Sequence, residues 1–139
     1  MNNPKPYQYL DHTADLGLEI TGATLNELFI NTGRAIFETM VAGPVPADRA
    51  VSIRLNADTR EDLLLDWCRE LLYRFSVRSF VPQRYDVKVD GLSLSARLKG
   101  GRFSPGRNTV KMEIKNPTYH HLKVTESKNG YTAVIVFDV

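Results

Sequence analysis

The chain has 139 residues, 42% of them apolar and 24% charged, with 18 basic against 16 acidic side chains. That length suits one domain, which can bury about two-thirds of its unfolded surface and so needs neither disulfides nor a metal merely to fold. The lone Cys68 excludes a disulfide framework or a cysteine-based zinc cluster, and the longest apolar run, Ala133–Phe137, falls far short of the ~20 residues that cross a bilayer. A single domain over residues 1–139 is expected, with residues 1–5 flexible. The N-terminal stretch lacks an apolar signal core, so the expected location is cytoplasmic, with no membrane partner.

In chain order, Leu16, Leu18 and Ile20 alternate and predict a strand. Thr24 followed by Glu27 is a capping-box pair ahead of an apolar stripe of Leu25, Leu28, Phe29, Ile36 and Met40, so a helix is expected there. Gly43-Pro44 is expected to stop it. Val51, Ile53 and Leu55 repeat the strand pattern. Asp58-Thr59 offers a second cap before Glu61 and Asp62, whose carboxylates suit a helix N-terminus. Leu64, Trp67, Cys68, Leu71 and Phe75 mark the buried face of that helix, and Cys68 within it reads as a core residue.

The remainder reads as hairpins. Asp86–Asp90 and Leu92–Ala96 flank an Asp90-Gly91 turn. From Arg97 to Arg107 the chain carries Arg97, Lys99, Arg102 and Arg107 with no acidic residue. It is expected to be an exposed Gly/Pro-rich loop, either simply solvated or facing a phosphate or an acidic partner. Met112–Lys115 and Leu122–Thr125 are expected strands, and Asn129-Gly130 turns into a central strand ending at Val139. The class is α+β, with two helices packed on one face of a mostly antiparallel or mixed β-sheet.

Three places could carry chemistry. Asp11-His12-Thr13-Ala14-Asp15 gathers two carboxylates and an imidazole, which could bind a cation, activate water or cap a turn. Asp138 and the α-carboxylate of Val139 could join Asp15 if their strands are neighbours, and such an all-oxygen set prefers hard cations. In the third, Glu113 and Lys115 would share one strand face. On an extended backbone the adjacent His120 and His121 would point to opposite faces, which argues against joint ligation. Lys115 could neutralise a carboxylate or contact a phosphate. Phosphate-loop, dinucleotide, nucleophile-elbow and zincin motifs are missing, so no nucleophile–base pair can be named.

Taken together, these blocks resemble the archease family. The matching stretches are Tyr9-Leu10-Asp11-His12-Thr13-Ala14-Asp15 with Leu16-Gly17, then Thr24–Phe29, Glu61–Trp67 with Glu70–Leu72, Glu113–Lys115 with Thr118–His120, and the closing Val136–Val139. Asn116-Pro117 departs from the small apolar residues usual there, and the Arg97–Arg107 segment is no family signature. The resemblance implies a protein cofactor of the RtcB-type tRNA-splicing RNA ligase, a GTP- and Mn²⁺-dependent enzyme that joins phosphate-bearing RNA ends to a 5′-hydroxyl. It would promote guanylylation of the ligase's histidine and sustain multiple turnover, without catalysis of its own. The resemblance further implies a divalent metal, foremost Ca²⁺ with Mg²⁺ or Mn²⁺ as alternatives, held by Asp15, Asp138 and Val139. Lys115 would be the activating basic residue and His12 a neighbour of the metal. GTP and RNA would be met through the ligase, with direct RNA contact left open. Two other readings compete: a metal-dependent phosphoester hydrolase using Asp15 and Asp138 as ligands and His12 as base, and a stand-alone RNA-binding module using the Arg97–Arg107 segment.

Overall fold

The computed structural model describes residues 5–10 and 15–139. Among them are two helices and nine strands in the order β1 (Tyr7–Leu10), β2 (Asp15–Gly22), α1 (Leu25–Met40), β3 (Val41–Ala42), β4 (Arg49–Asn56), α2 (Arg60–Arg78), β5 (Phe80–Asp90), β6 (Ser93–Arg102), β7 (Thr109–Val110), β8 (Asn116–Ser127) and β9 (Gly130–Asp138). The class is α+β, as expected, and every strand pair is antiparallel.

The strands do not form one sheet. They divide into a four-stranded sheet ordered β1-β2-β9-β8, a three-stranded sheet ordered β4-β6-β5, and the short β3-β7 pair. Both helices touch both larger sheets and lie between them. This placement explains why α1 buries residues around most of its circumference, from Leu28 and Phe29 to Ala35, Ile36 and Met40. A single core joins Leu18, Ile20, Ile135 and Phe137 of the larger sheet to Ile53, Leu94 and Leu98 of the smaller through the helices. Trp67 stands fully buried in it, its indole N–H donating to the Phe29 carbonyl at 2.9 Å and so binding α2 to α1.

The local signals account for the helix starts. The Thr24 hydroxyl accepts from the Glu27 N–H at 3.1 Å, and the Thr59 hydroxyl from the Asp62 N–H at 3.0 Å. Cys68 is buried in α2, and burial pushes its thiol pKa well above the ordinary range. The strand β9 is central, paired on both sides by β2 and β8. At its hairpin start Gly130 has φ +125°, and a Cβ there would meet the Gly22 carbonyl at 2.4 Å.

Four expectations fail, each for a physical reason. Gly43 does not cap α1. The helix ends at Met40 because Val41 swings into extended backbone and pairs with Val110, while Gly43 (φ +100°) lets the Arg107 carbonyl pass close by. Met112–Lys115 is no strand. It alternates in hydrophobicity but has no neighbouring strand to pair with, and hangs between the Lys111 N–H on the Met40 carbonyl and the Lys115 N–H on the Asp138 carbonyl. Glu113 and Lys115 therefore share no strand face. Arg97, Lys99 and Arg102 lie not in a loop but in β6, whose alternation runs through the buried Leu98 to Gly100 before the buried Gly101 breaks it ahead of Arg102. Finally, His120 and His121 do not diverge. The β8–β9 register breaks between Thr118 and Lys123, His121 turns to φ +56°, and the two rings sit 4.0 Å apart, centroid to centroid.

Candidate functional site at the end of the larger sheet

The site is built by register. In the antiparallel β2–β9 ladder Asp15 lies directly opposite Asp138, and on the other side of β9 Asn116 lies opposite the same residue. Directly opposed residues share a sheet face, so one row across the end of the sheet reads Asp15, Asp138, Asn116. The next row, Leu16, Phe137 and Pro117, is buried, and Leu16 and Phe137 join the helix-facing core. By alternation the acidic row emerges on the face turned away from the helices, and all three of its residues are exposed. The flanking segment is pinned to the same point, because the Lys115 N–H donates to the Asp138 carbonyl at 2.9 Å.

Local chemistry explains how this row is held. Pro117 has no N–H to offer and sits on β8, the edge strand, where one is dispensable. Further along, the Glu61 carboxylate accepts from the Val124 N–H at 2.9 Å, so α2 satisfies a donor on that edge. Thr118 anchors the register break by donating its hydroxyl to the Val136 carbonyl at 2.8 Å and accepting from the His120 N–H at 3.3 Å. The excursion that follows leaves Tyr119 and the paired imidazoles exposed. At its tip the Asp62 carboxylate accepts a hydrogen bond from Tyr119 and raises the pKa of that hydroxyl.

Next to Lys115 opens a groove of about 700 Å³ between α2 and the 109–116 segment, lined by Met40, Leu72, Tyr73, Val110 and Ile114, with Glu113 and Lys115 on its rim. Tyr73, Val110 and Met112 remain 53%, 44% and 39% exposed along this side. Large apolar side chains left in water next to a charged row make a surface suited to docking another macromolecule.

The structure thus joins three of the expected residues, Asp15, Asp138 and Lys115, with Val139 following directly and 41% exposed. His12 lies outside the described residues, as do Asp11, Thr13 and Ala14. Among the described residues no three His, Cys, Asp or Glu side chains converge as a preformed ligand cluster. The two carboxylates form a hard oxygen pair, open on one face, to which Val139 can add a backbone oxygen. A divalent cation that retains part of its water shell fits that donor set. Asn116 escaped sequence reasoning. Nothing in its own side chain singles it out, and only its register with Asp138 places it in the row.

With the geometry in place, comparison with known proteins is informative. The model of the archease protein family matches residues 7–139. The archease of Archaeoglobus fulgidus is 36% identical over 137 residues, covering 96% of this chain and 98% of its own. That of Methanosarcina barkeri is 34% identical, with 97% of each chain covered. Among solved structures, protein 1598 of Methanobacterium thermoautotrophicum superposes with a TM-score of 0.84 at 27% identity, over 96% of this chain and 99% of that one. A Thermotoga maritima archease, described as a possible chaperone, shares the fold with a TM-score of 0.68 at 24% identity, over 100% of this chain and 98% of that one. Among the described residues no helix is long and apolar enough to cross a membrane.

Proposed function

The chain belongs to the archease family, and from that membership we propose that it is a protein cofactor of an RtcB-type tRNA-splicing RNA ligase, promoting guanylylation of the ligase's histidine and repeated turnover. The observation that carries this reading is the convergence of Asp15, Asp138 and the Lys115 backbone on one exposed sheet end. An activator without chemistry of its own needs no nucleophile–base pair. It needs a charged tip that can enter another protein's active site and a neighbouring surface that holds it there.

In this reading the carboxylates of Asp15 and Asp138, with a backbone oxygen of Val139, hold one divalent cation. That cation supplies positive charge where two carboxylates would otherwise repel phosphate. Lys115, tied through its backbone to Asp138, offsets charge on the triphosphate or on the leaving pyrophosphate. The apolar groove along Tyr73 and Ile114 docks the ligase and fixes the approach of the tip. Positioning of this kind acts through proximity and orientation.

The direct test is guanylylation of a cognate ligase with GTP and Mn²⁺, followed with and without this protein. A clear rise in the rate of histidine–GMP formation and in turnovers per ligase is expected. An unchanged rate with a cognate ligase would sink the reading, and phosphoester hydrolysis by the protein alone would assign it an activity of its own.

A further inference from the structure

The outer face of the three-stranded sheet carries an arrangement that the acidic site does not use. Three rows cross it. Ala50, Lys99 and Arg84 form the first, Ser52, Arg97 and Asp86 the second, Arg54, Ser95 and Lys88 the third. All nine are exposed, while the alternate residues Ile53, Ala96 and Val87, and Leu55, Leu94 and Val89, point inward to the core side. The face thus presents Arg54, Arg84, Lys88, Arg97 and Lys99 against Asp86, with Asp90 at its far margin. Among the described residues none of those five cations lies within ion-pair distance of a carboxylate; the ion pairs lie elsewhere, at Arg60–Glu126, Arg69–Asp66 and Arg74–Glu70.

Two details separate this from an ordinary solvated sheet face. Lys99 stands directly opposite Arg84, and like charges opposed across an antiparallel pair destabilise it. The positions between the cations are small: Ala50, Ser52 and Ser95 keep the surface flat, and the serines add hydroxyl donors. Residues two apart on a strand are separated by about 7 Å and neighbouring strands by about 4.8 Å, so the cations form a shallow positive grid. No aromatic side chain stands on it to stack a base. Such a surface reads phosphate and sugar and carries no base specificity.

We infer that the outer face of the β4-β6-β5 sheet docks the sugar–phosphate backbone of single-stranded RNA. The phosphodiester chemistry follows from the unpaired cations and interleaved hydroxyls, whereas the choice of RNA rests on the ligase-cofactor reading above. The helix layer separates this face from the acidic row, so one molecule can hold an RNA strand on one side and present its acidic tip on the other.

The test uses the whole protein alone, titrating a fluorescent single-stranded oligoribonucleotide across a range of salt. Binding whose log affinity falls linearly with log salt is expected, with a slope of about 0.7 per phosphate neutralised. The double variant Arg97→Thr/Lys99→Thr should lose at least tenfold in affinity. The charge-matched Lys123→Thr/Lys128→Thr, on the β8–β9 hairpin, should stay within threefold. Thermal unfolding of the first variant should change little, since losing the Lys99–Arg84 opposition offsets losing the attraction between Arg97 and Asp86. Absence of salt-sensitive RNA binding overturns the inference, as does equal weakening by both double variants or binding of a poly-glutamate peptide in place of RNA. Because no ligase is present, failure here leaves guanylylation to decide the cofactor reading separately.

Discussion

Replacing Asp138 by Asn should invert its effect on stability according to whether a divalent cation is present. Asp15 and Asp138 are direct cross-strand partners, which sets their Cβ atoms about 5 Å apart. Two unit charges at about 5 Å repel by roughly 0.8 kcal/mol in water, and both groups are exposed, so the water-like figure applies. Asn keeps the shape and removes the repulsion. In a chelator at low salt, Asp138→Asn should therefore gain somewhat under 1 kcal/mol, about 2–4 °C in Tm for a domain of this size. A cation at a hundredfold excess over its Kd stabilises the wild type by about 2.7 kcal/mol, roughly 10 °C, and the variant loses most of that gain along with one anionic ligand. Differential scanning fluorimetry in chelator, Ca²⁺ and Mn²⁺ measures both arms. If the variant is less stable than wild type in chelator, or if both respond equally to the cations, the two carboxylates do not form a cation site.

Two further predictions concern side chains around this core. Lys115→Ala should cut ligase guanylylation at least tenfold with Tm unchanged, because the backbone N–H of Lys115 and not its ammonium makes the bond to Asp138; restoration by Arg in a guanylylation time course would show that charge is what counts. Cys68, buried with a raised thiol pKa, should react with a thiol reagent only on unfolding. In the folded chain the thiol keeps its proton, while the unfolded thiol loses it above about pH 8.5. Stability is therefore fully present below that pH and falls by up to ~1.4 kcal/mol per pH unit above it, a slope that Cys68→Ala should reduce in urea melts recorded from pH 8 to 11.

The parts of the fold that were legible in the sequence are those written in local chemistry. Thr24 and Thr59 announce their helices because a cap needs only a hydroxyl and an amide three residues on. Asp90-Gly91 and Asn129-Gly130 announce their hairpins because Gly91 and Gly130 take positive φ. What stayed hidden is decided by distant partners. Met112–Lys115 has a strand's alternation and no ladder, and the run from Arg97 looks like a loop until β4 and β5 pair with it on both sides. The His121 turn to positive φ accompanies the break in β8, and histidine's mild tolerance of that region is too weak a signal to mark it. The site divides along the same line. Asp15 and Asp138 stand out as carboxylates, but their meeting depends on pairing between the two ends of the chain, and Asn116 enters only through that pairing.

The near-neutral balance of 18 basic and 16 acidic residues conceals two local imbalances of opposite sign. Most exposed cross-strand neighbours could be arranged with opposite or neutral partners, and Arg97 opposite Asp86 shows the fold doing so. Asp15 opposite Asp138, and Lys99 opposite Arg84, break that rule in opposite senses and in different sheets. Each opposition costs stability that hydrophobic packing elsewhere must cover, and neither makes a contact on which the core depends. A fold selected for stability alone would have no reason to retain them. A ligand of the opposite sign would relieve each, a cation at the sheet end and a polyanion on the sheet face. With the helices between them, neither surface neutralises the other, and both stay available for partners at once.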